Sequence, residues 1–444
     1  MLTRWQCTAT LAAHFNVAMN FLEELRHREL IQDMTPGLEE HLASGKPVTA
    51  YIGFDPTAPS LTIGNYVPIM LLKYFQLSGH QPIMLFGGAT GRIGDPSGKS
   101  AERTLKSNDE IEANLAAQKA QARALLKPEP GMKDVIFVDN FDFYKNFSVL
   151  DFLRDVGKTL TVNYMMSKDS VKNRLETGLS FTEFSYQLLQ GYDFQCLYKD
   201  HGCTLQMGGS DQWGNITSGS EFVRRNLQGK AFGLTTPLLT KADGSKFGKS
   251  EAGNIWMDAE RTSPYQFYQF WINADDRDVA LYIRTFSLRD RAGLAELLAL
   301  VEENPRAAKN ALADELTARV HGDEALENAA AVSEMMFNRK ASYEQLRGLK
   351  VQALAMISEE IPCVTVPASL FEGEGVLLSD LLSDHTSAVA SKSEAKRAIK
   401  GNAVAVNKNK VANEDAMVTS ADFLQGKYVM LENGKKNKLM VVVG

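Results

Sequence analysis

The chain has 444 residues, of which 44% are apolar and 23% charged, with a formal net charge of −6. This length allows two or three domains with ample cores, and no apolar run approaches the length of a membrane span. The four cysteines (Cys7, Cys196, Cys203 and Cys363) form no CxxC pair, which argues against zinc and a disulfide framework and favours a cytoplasmic location.

The two ends of the chain differ from the rest. The first eighteen residues hold one Arg and no long apolar core, so we expect a disordered extension with Met19 as the true start. Residues 375–444 hold ten Lys and Arg against seven Asp and Glu, a net charge of +3 that leaves −9 for the remainder. A nucleic-acid partner is therefore expected at the C-terminal end.

Short apolar runs alternate with helical patterns from Val48 to about Gly229. The predicted strands are "VTAYIGF", "QPIMLFGG", "DVIFVD" and "CTLQMGG", and the predicted helices are "NYVPIMLLKYFQLSG" and segments near 108–127, 149–157 and 181–194. This alternation predicts a parallel sheet with crossover helices, in which ligands bind at the carboxyl ends of the strands. We therefore assign residues 19–261 to an α/β domain of the Rossmann-like, doubly wound type.

Three further segments follow. Residues 262–348 carry apolar residues at three- and four-residue spacing and are predicted to form an α-helical domain. Residues 349–374 show little pattern and are interpreted as a linker. Residues 375–444 are predicted to form a small α+β domain, with helices at "GVLLSDLLSD" and "SKSEAKRAIKG" and strands at "AVAVN", "KYVMLE" and "KLMVVV".

The glycine-rich run "GGATGRIGDPSGKSAER" ends like a phosphate-binding loop. That motif needs four residues between its two glycines, and only three separate Gly94 from Gly98. The spacing disfavours a P-loop kinase or ATPase. What remains is a glycine-rich loop with two cations, Lys99 and Arg103, for which a solvated surface loop is the alternative interpretation.

Ser180 and Glu183 form a capping-box pair that predicts the start of a helix. On that helix Tyr186, Gln190 and Asp193 share one face. Such a polar stripe usually faces solvent, but these three side chains could also bind a small ligand through an ammonium group and a hydroxyl.

Two more segments carry polar groups suited to a nucleotide. In "GGSDQWGN", Asp211 follows a predicted strand, where a carboxylate commonly binds ribose hydroxyls. In "KADGSKFGKSE", Lys246 and Lys249 lie on a flexible loop with Gly248 as a hinge, which suits charge that develops in a transition state. A solvated lysine loop is the alternative, although the apolar Phe247 between the lysines argues against it.

Together these motifs resemble class I aminoacyl-tRNA synthetases, and most closely the bacterial-type tyrosyl-tRNA synthetases. The similarity runs from about Met19 to Gly444, and residues 375–444 resemble the S4-type RNA-binding domain that usually ends these enzymes. It rests on the ordered segments "YIGFDPTAPSL", "GGATGRIGDPSGK", "VNYMMSKDSV", "SFTEFSYQLLQGYDF", "GGSDQWGNI", "KFGKS" and "TSPYQFYQFWIN".

The resemblance implies formation of tyrosyl-adenylate and pyrophosphate from tyrosine and ATP, with Mg²⁺ accompanying ATP and no tightly bound cofactor, followed by transfer to tRNA(Tyr) by a homodimer. It implies tyrosine binding by Tyr51, Asp95, Tyr186, Gln190, Asp193 and Gln212. It implies ATP binding by Gly53, Asp55, Gly64, Asn65, Gly209, Asp211 and Lys249. The groups around the departing phosphates would be Thr57, Thr62, Lys99, Arg103, Lys246 and Lys249.

The sequence departs from that family at "LTIGNY", where the tyrosyl enzymes usually have histidines in place of Thr62 and Asn65. This form is more typical of tryptophanyl-tRNA synthetases, but Tyr51 and Asp193 suit a phenol hydroxyl and favour tyrosine. Because a hydroxyl and an amide can also donate hydrogen bonds, we expect Thr62 and Asn65 to replace the histidines as donors to the nucleotide.

Basic residues recur at Lys392, Lys396, Arg397 and Lys400 in the S4-like segment. A solvated helix face is the usual explanation, but beside the resemblance we expect contact with RNA. Two alternatives stay open: a tryptophanyl enzyme, and a synthetase-like RNA-binding protein without catalysis. Retention of Lys246 and Lys249 argues against the second.

Overall fold

The structure is a computed structural model. It describes residues 19–97, 106–168, 171–172, 174, 178–250, 253–338, 340–434 and 437–444, with the side chains at 249 and 250 excepted. The chain divides into two compact units: the first runs to Arg261 and includes Asn273–Glu315, and the second comprises Thr262–Ile272 and Leu316–Gly444. The predicted extension at residues 1–18 lies outside the described residues.

The first unit is an α/β structure. Its strands are β1 (Asp33–Met34), β2 (Thr49–Phe54), β3 (Gln81–Phe86), β4 (Ile136–Asp139), β5 (Cys203–Gly209), β6 (Phe232–Thr236), β7 (Lys249–Ser250) and β8 (Gly253–Asn254). Its helices up to residue 261 are α1 (Phe21–His27), α2 (Leu38–Leu42), α3 (Ile63–Leu77), α4 (Asn108–Leu125), α5 (Phe141–Tyr144), α6 (Val149–Asp155), α7 (Val162–Met166), α8 (Phe181–His201) and α9 (Trp213–Leu227).

Six of the described strands form one sheet in the order β1-β6-β5-β2-β3-β4. All neighbours are parallel except β1 and β6, which pair antiparallel. The chain proceeds from β2 towards β3 and β4 on one side, and from β5 towards β6 on the other. The sheet therefore reverses its winding between β2 and β5, where a crevice opens at the carboxyl ends of the strands. The predicted doubly wound parallel sheet is confirmed.

Burial on both faces explains why these strands read as continuous apolar runs. Ile83, Met84 and Phe86 of β3 have no exposed surface. Helices α8 and α9 pack closely on one face because Gly191 has no side chain. A Cβ atom there would lie 2.5 Å from the ring of Phe222.

The second unit combines helices with a small sheet. The helices from residue 262 onward are α10 (Pro264–Ile272), α11 (Asp276–Phe286), α12 (Arg291–Glu303), α13 (Pro305–His321), α14 (Asp323–Phe337), α15 (Tyr343–Arg347), α16 (Val351–Glu360), α17 (Leu378–Asp380) and α18 (Lys392–Lys400). Of these, α11, α12 and most of α13 belong to the first unit. The strands are β9 (Cys363–Val366), β10 (Val376–Leu377), β11 (Val404–Val406), β12 (Asn409–Lys410), β13 (Met417–Val418), β14 (Tyr428–Asn433) and β15 (Asn437–Val443).

The C-terminal sheet has the order β12-β11-β14-β15-β9, and β9 pairs parallel with β15. One face of the sheet packs with α17 and α18 in an apolar core that includes Leu378, Ile399 and Val441. The predicted α+β fold of this segment is therefore confirmed. At "GVLLSDLLSD", however, the structure has the short strand β10, the turn α17 and a π-helical turn at Leu381–His385 rather than one helix.

Two predicted boundaries differ from the structure. Residues 349–374 are not a linker, because they contain α16 and β9, and β9 supplies an edge strand of the C-terminal sheet. Residues 262–348 are not one helical domain, because Asn273–Glu315 group with the first unit. The physical reason is visible at α11, where Phe286 stacks on Tyr66 of α3 at 5.5 Å between ring centroids.

Candidate active site

A cavity of about 370 Å³ lies at the carboxyl ends of β2, β3, β5 and β6. Its walls include residues from both sides of the point where the winding reverses, together with the start of α3 and one face of α8. The predicted site residues that line it are Tyr51, Gly53, Asp55, Thr57, Gly64, Asn65, Asp95, Tyr186, Gln190, Asp193, Gly209, Asp211 and Gln212. Residues far apart in the sequence thus meet in one cavity.

A buried phenol and a buried carboxyl group lie together in the cavity wall. Tyr51 and Asp193 are each 1% exposed. The Tyr51 hydroxyl has no hydrogen-bond partner among the described residues. Asp193 accepts hydrogen bonds from Asn140 Nδ2 (2.9 Å) and from the Tyr144 hydroxyl (2.7 Å). This part of the cavity can therefore bind a buried hydroxyl group on a ligand.

Burial controls the ionisation of this pair. It raises the pKa of Tyr51 well above its ordinary value, and the neighbouring Asp193 adds to the effect, so Tyr51 stays protonated. Burial also raises the pKa of Asp193 to about 7, against the opposing effect of the hydrogen bonds from Asn140 and Tyr144. Asp193 therefore changes charge near neutral pH in the ligand-free protein.

A second polar network joins Asp55 to α8. The Tyr186 hydroxyl donates to Asp55 Oδ2 (3.0 Å), and the Thr90 hydroxyl donates to Asp55 Oδ1 (2.7 Å). Asn140 Nδ2 in turn donates to Thr90 Oγ1 (3.0 Å). Asp55 was predicted to contact ATP, but its carboxylate takes part in the network that orients Tyr186, a predicted tyrosine-binding residue.

Three of the predicted tyrosine-binding side chains are also connected to each other. Gln212 Nε2 donates to Asp95 Oδ2 (2.9 Å), and Gln190 Nε2 lies 3.5 Å from Gln212 Oε1. The buried Gln190 Oε1 has no partner among the described residues and remains an acceptor. An ammonium group placed here would meet the Asp95 carboxylate and amide oxygens, which are the groups that accept its protons.

The glycines of the cavity leave space for a ligand. A Cβ atom at Gly53 would meet nothing within 4 Å, so this position opens directly onto the cavity. A Cβ atom at Gly209 would lie 2.8 Å from Asp211 Oδ1. Any side chain at Gly209 would therefore displace the carboxylate that is predicted to bind ribose.

Thr62 and Asn65 form the N-terminal cap of α3. The Thr62 backbone N–H (3.0 Å) and hydroxyl (2.9 Å) both donate to Asn65 Oδ1. Asn65 lines the cavity, with its Nδ2 protons not used in this cap, whereas Thr62 is absent from the described lining. We predicted that both side chains donate to the nucleotide. In this structure the Thr62 hydroxyl proton is already donated to Asn65, so of the two side chains we now expect only Asn65 to act as that donor.

The lysine-rich loop lies beside the start of α3. Gly248 has a φ of +89°, and a Cβ atom there would lie 3.3 Å from the Gly64 nitrogen. Phe247 is buried and stacks on Phe286 of α11 at 5.5 Å between ring centroids. Lys246 is exposed and does not line the cavity. Lys99 and Arg103, and the side chain of Lys249, lie outside the described residues.

The predicted RNA-binding residues lie on α18. Lys392 forms an ion pair with Asp380, and Lys400 Nζ lies 3.6 Å from Glu414 Oε1. Arg397 is exposed and Lys396 is half-buried. These four basic residues of α18 therefore include two lysines in ion pairs and an arginine that faces solvent.

Three residues of the site were missed by the sequence analysis: Thr90, Asn140 and Tyr144. Thr90 and Asn140 follow the carboxyl ends of β3 and β4, and Tyr144 ends α5. The position of Asn140 directly after the predicted strand "DVIFVD" was the available signal for it. Nothing local in the sequence marks Tyr144 as a partner of Asp193.

Two family models match the chain. Residues 43–338 match the model described as "tRNA synthetases class I (W and Y)". Residues 357–441 match the model described as "Tyrosine--tRNA ligase SYY-like C-terminal domain". The second match begins before β9, in agreement with the inclusion of β9 in the C-terminal sheet.

Individual proteins give the same result. The chain is 49% identical over 432 residues to a tyrosine–tRNA ligase of Porphyromonas gingivalis, covering 96% of this chain and 100% of that protein. It is 48% identical over 431 residues to the tyrosine–tRNA ligase of Bacteroides thetaiotaomicron, covering 96% and 100%. Among solved structures, a C-terminally truncated mitochondrial tyrosyl-tRNA synthetase of Aspergillus nidulans matches with a TM-score of 0.64 and 31% identity, over 72% of this chain and 94% of that one.

Proposed function

Because the chain belongs to the class I tRNA synthetases for tryptophan and tyrosine, and within them to the tyrosine–tRNA ligases, we propose that it activates L-tyrosine with ATP and transfers it to tRNA(Tyr). In the first step a carboxylate oxygen of tyrosine attacks the α-phosphorus of ATP. The bond to the β-phosphate breaks, which yields tyrosyl-adenylate and pyrophosphate. In the second step a ribose hydroxyl of the terminal adenosine attacks the tyrosyl carbonyl carbon and releases AMP.

The buried pair Tyr51 and Asp193 is the observation that carries this proposal. A phenol hydroxyl can donate to the Asp193 carboxylate and accept from the Tyr51 hydroxyl. Phenylalanine would leave the buried Tyr51 hydroxyl without a partner and would bring no donor to Asp193, which costs binding free energy relative to tyrosine. Tryptophan has a single N–H donor and no acceptor for Tyr51. The pair therefore favours tyrosine over both competitors.

Positioning and electrostatics would supply the catalysis. Asp95, Tyr186, Gln190 and Gln212 would hold the ammonium and carboxylate ends of tyrosine, and Gly53, Gly64, Gly209 and Asp211 would hold the adenosine. The amide of Asn65 and the hydroxyl of Thr57 would donate to the phosphates, joined by Lys99, Arg103, Lys246 and Lys249 as charge develops on pyrophosphate.

Magnesium would enter with ATP. Within the described ranges, no three His, Cys, Asp or Glu side chains come together as ligands for a metal ion. Mg²⁺ commonly keeps several waters and binds through the phosphate oxygens of a nucleotide. We therefore propose that the ion enters as part of the ATP complex.

A homodimer is supported by an apolar surface on the first unit. Val149 and Leu150 of α6 are 75% and 78% exposed, and Phe181 at the start of α8 is 74% exposed. Val162 and Met166 of α7 are exposed as well. Exposed large apolar side chains on consecutive elements are typical of a protein interface, and a second copy of this chain is the proposed partner.

The C-terminal part of the second unit would bind tRNA. The exposed Arg397 and the half-buried Lys396 lie between the ion-paired Lys392 and Lys400 on α18. A phosphate backbone would compete with Asp380 and Glu414 for these lysines, so binding should weaken as salt rises.

None of the helices in the described ranges is long and apolar enough to cross a membrane. We propose a cytoplasmic location because the chain is similar to bacterial tyrosine–tRNA ligases.

Amino-acid-dependent exchange of pyrophosphate into ATP tests the proposed function. Purified protein is assayed with L-tyrosine, L-tryptophan and L-phenylalanine in parallel, and tyrosine alone should support rapid exchange at low concentration. Charging of tRNA(Tyr) with labelled tyrosine tests the second step. Exchange that is driven best by tryptophan, or by no amino acid, would overturn the proposal.

A further inference from the structure

Tyr144 contacts Asp193 from outside the cavity. Its hydroxyl lies 2.7 Å from Asp193 Oδ1 and 2.8 Å from the Leu189 carbonyl oxygen. It is absent from the described lining of the cavity. Its ring belongs to an aromatic cluster, with centroids 5.7 Å from Tyr192 and 6.3 Å from Phe152. Tyr144 therefore has no direct contact with the cavity and reaches it through its hydrogen bond to Asp193.

One phenol proton faces two acceptors at this point. A tyrosine hydroxyl has a single hydrogen to donate, and both the Asp193 carboxylate and the Leu189 carbonyl are within hydrogen-bond distance. When Asp193 is ionised, the hydrogen bond to the charged oxygen is the stronger one. When Asp193 is protonated at Oδ1, its own proton can point to Tyr144, whose hydrogen then turns to Leu189.

We propose that Tyr144 is a positioning residue that holds Asp193 as an ionised acceptor for the phenol hydroxyl of tyrosine. This inference rests on the proposed function and deepens it. Asn140 donates to the other oxygen of Asp193. A carboxylate has about four lone-pair sites, so both donors leave room for the hydroxyl of the substrate. The two together fix the direction of those remaining lone pairs.

The charged surroundings of Asp193 make this donor important. The cavity places further carboxyl groups nearby, and each of them opposes a negative charge on Asp193. The titratable groups around it are Tyr51 of β2, Asp55 after β2, Asp139 at the end of β4, Tyr144 of α5, and Tyr186 and Cys196 of α8 itself. The donors that contact its carboxylate, Asn140 and Tyr144, are both neutral, and their hydrogen bonds favour the ionised form.

Removal of the Tyr144 hydroxyl should therefore change the pH dependence of tyrosine binding. Burial holds the pKa of Asp193 at about 7, and the hydrogen bond from Tyr144 lowers it. Without that bond the pKa rises, so more of the ligand-free protein carries a protonated Asp193 at neutral pH. The carboxylate form of Asp193 accepts the phenol proton, so tyrosine affinity rises as Asp193 loses its proton. This rise should occur at a higher pH in the variant than in the wild type.

The experiment measures equilibrium binding of L-tyrosine between pH 5.5 and 9 (about two pH units either side of neutrality), together with kcat and KM for tyrosine in the exchange assay. Tyr144→Phe retains the ring and loses only the hydroxyl. Tyr192→Phe is the matched control, because its ring lies in the same aromatic cluster. Tyr144→Trp retains a ring with an N–H donor that does not titrate. Thermal unfolding of all three variants is recorded alongside.

We expect Tyr144→Phe to weaken tyrosine binding about tenfold at pH 7, with kcat little changed, and to move the midpoint of the pH profile upward. Phenylalanine binding should not change, and Tyr144→Trp should bind tyrosine more tightly than Tyr144→Phe. Tyr192→Phe should match the wild type.

An unchanged midpoint in Tyr144→Phe, or an equal loss of affinity at every pH, would overturn the positioning role. Wild-type protein that still discriminates tyrosine from phenylalanine would in that case leave the proposed function intact. If the wild type itself fails to prefer tyrosine, the proposed function and this inference are both overturned.

Discussion

At the scale of single residues, Thr62 and Asn65 have different roles although the sequence predicts the same role for both. The Thr62 hydroxyl and backbone N–H both donate to Asn65 Oδ1 at the cap of α3. This fixes the Asn65 amide with its nitrogen as the remaining donor. The sequence could show that both side chains are able to donate, but only the folded geometry shows that one donates to the other.

Substitutions at Asn65 should separate its two functions. Asn65→Ala loses the donor to the nucleotide and should slow adenylate formation about ten- to a hundredfold. Asn65→Asp keeps an acceptor for Thr62 but places a negative charge near the phosphates, so the loss should be larger. The rate of adenylate formation is measured in single turnovers with saturating tyrosine.

Thr62→Val is the matched control for this comparison. It removes a hydroxyl that already donates to Asn65, while the Thr62 backbone N–H continues to hold the Asn65 oxygen. Its effect on the rate should be less than that of Asn65→Ala. A larger effect of Thr62→Val than of Asn65→Ala would show that Thr62 is the group that contacts the nucleotide.

The residues of the tyrosine site were predictable where they lie on one element. Tyr186, Gln190 and Asp193 share a face of α8 by their spacing alone, and all three line the cavity. Their partners come from other parts of the chain: Asp55 follows β2 and Asn140 follows β4. Such pairings depend on the order of strands in the sheet, which periodicity does not specify.

At the scale of secondary structure, strongly patterned elements were predicted well and short edge elements were missed. Strands β2 and β3 and helices α3 and α4 lie within a few residues of their predicted positions. The missed strand β9 has only four residues, between Pro362 and Pro367. It becomes a strand because its backbone pairs with β15, more than seventy residues later. That contact leaves no local pattern in the sequence.

The turn between β11 and β12 depends on Asn407. This residue is buried, has a φ of +47°, donates from Nδ2 to the Asp422 carbonyl (2.6 Å) and accepts from the Met430 N–H (2.8 Å). Asn407→Ala loses both hydrogen bonds. It also places alanine, which has a Cβ atom, in the left-handed region of backbone conformation. The free energy of unfolding should fall by about 2–4 kcal/mol, as measured by urea denaturation.

Two variants separate the hydrogen bonds from the backbone conformation. Asn407→Gly also loses the side-chain hydrogen bonds, but glycine adopts a positive φ without strain, so it should be less destabilised than Asn407→Ala. Ser387 is exposed and has a φ of +52°, so Ser387→Ala is a control that replaces a polar residue by alanine at a positive φ without removing a buried side chain. Equal stability of Asn407→Ala and Ser387→Ala would show that the buried hydrogen bonds of Asn407 contribute nothing.

At the scale of the whole molecule, the exposed apolar side chains of α6 predict a dimer. Leu150→Glu would place a charge in the proposed interface, where it would be buried without a partner. The variant should sediment as a monomer at concentrations where the wild type is a dimer. Leu150 is 78% exposed in the single chain, so the substitution creates no defect in the core. The unfolding temperature of the monomer should therefore not fall for that reason.

Phe337→Glu is the control for this substitution. Phe337 is 62% exposed and belongs to the second unit, away from α6 in the sequence. The control should retain the sedimentation coefficient of the wild type. A wild-type protein that is already monomeric, or a Leu150→Glu variant that remains a dimer, would contradict the proposed interface.

Two truncations test the division of labour between the units. The cavity is built from the first unit, so tyrosine-dependent exchange should survive removal of the C-terminal sheet, whereas tRNA charging should be lost. A chain that ends at Ile361 keeps α16 and removes the whole sheet. A chain that ends at Glu374, at the boundary expected from the sequence, retains β9 without its partner β15.

An unpaired strand presents free N–H and C=O groups that invite association. The chain ending at Glu374 should therefore scatter more light and precipitate at lower concentration than the chain ending at Ile361, although both activate tyrosine. Equal solubility of the two chains would show that β9 does not require β15. Charging of tRNA(Tyr) at the wild-type rate by either chain would mean that the basic C-terminal sheet and α18 are not needed for RNA binding.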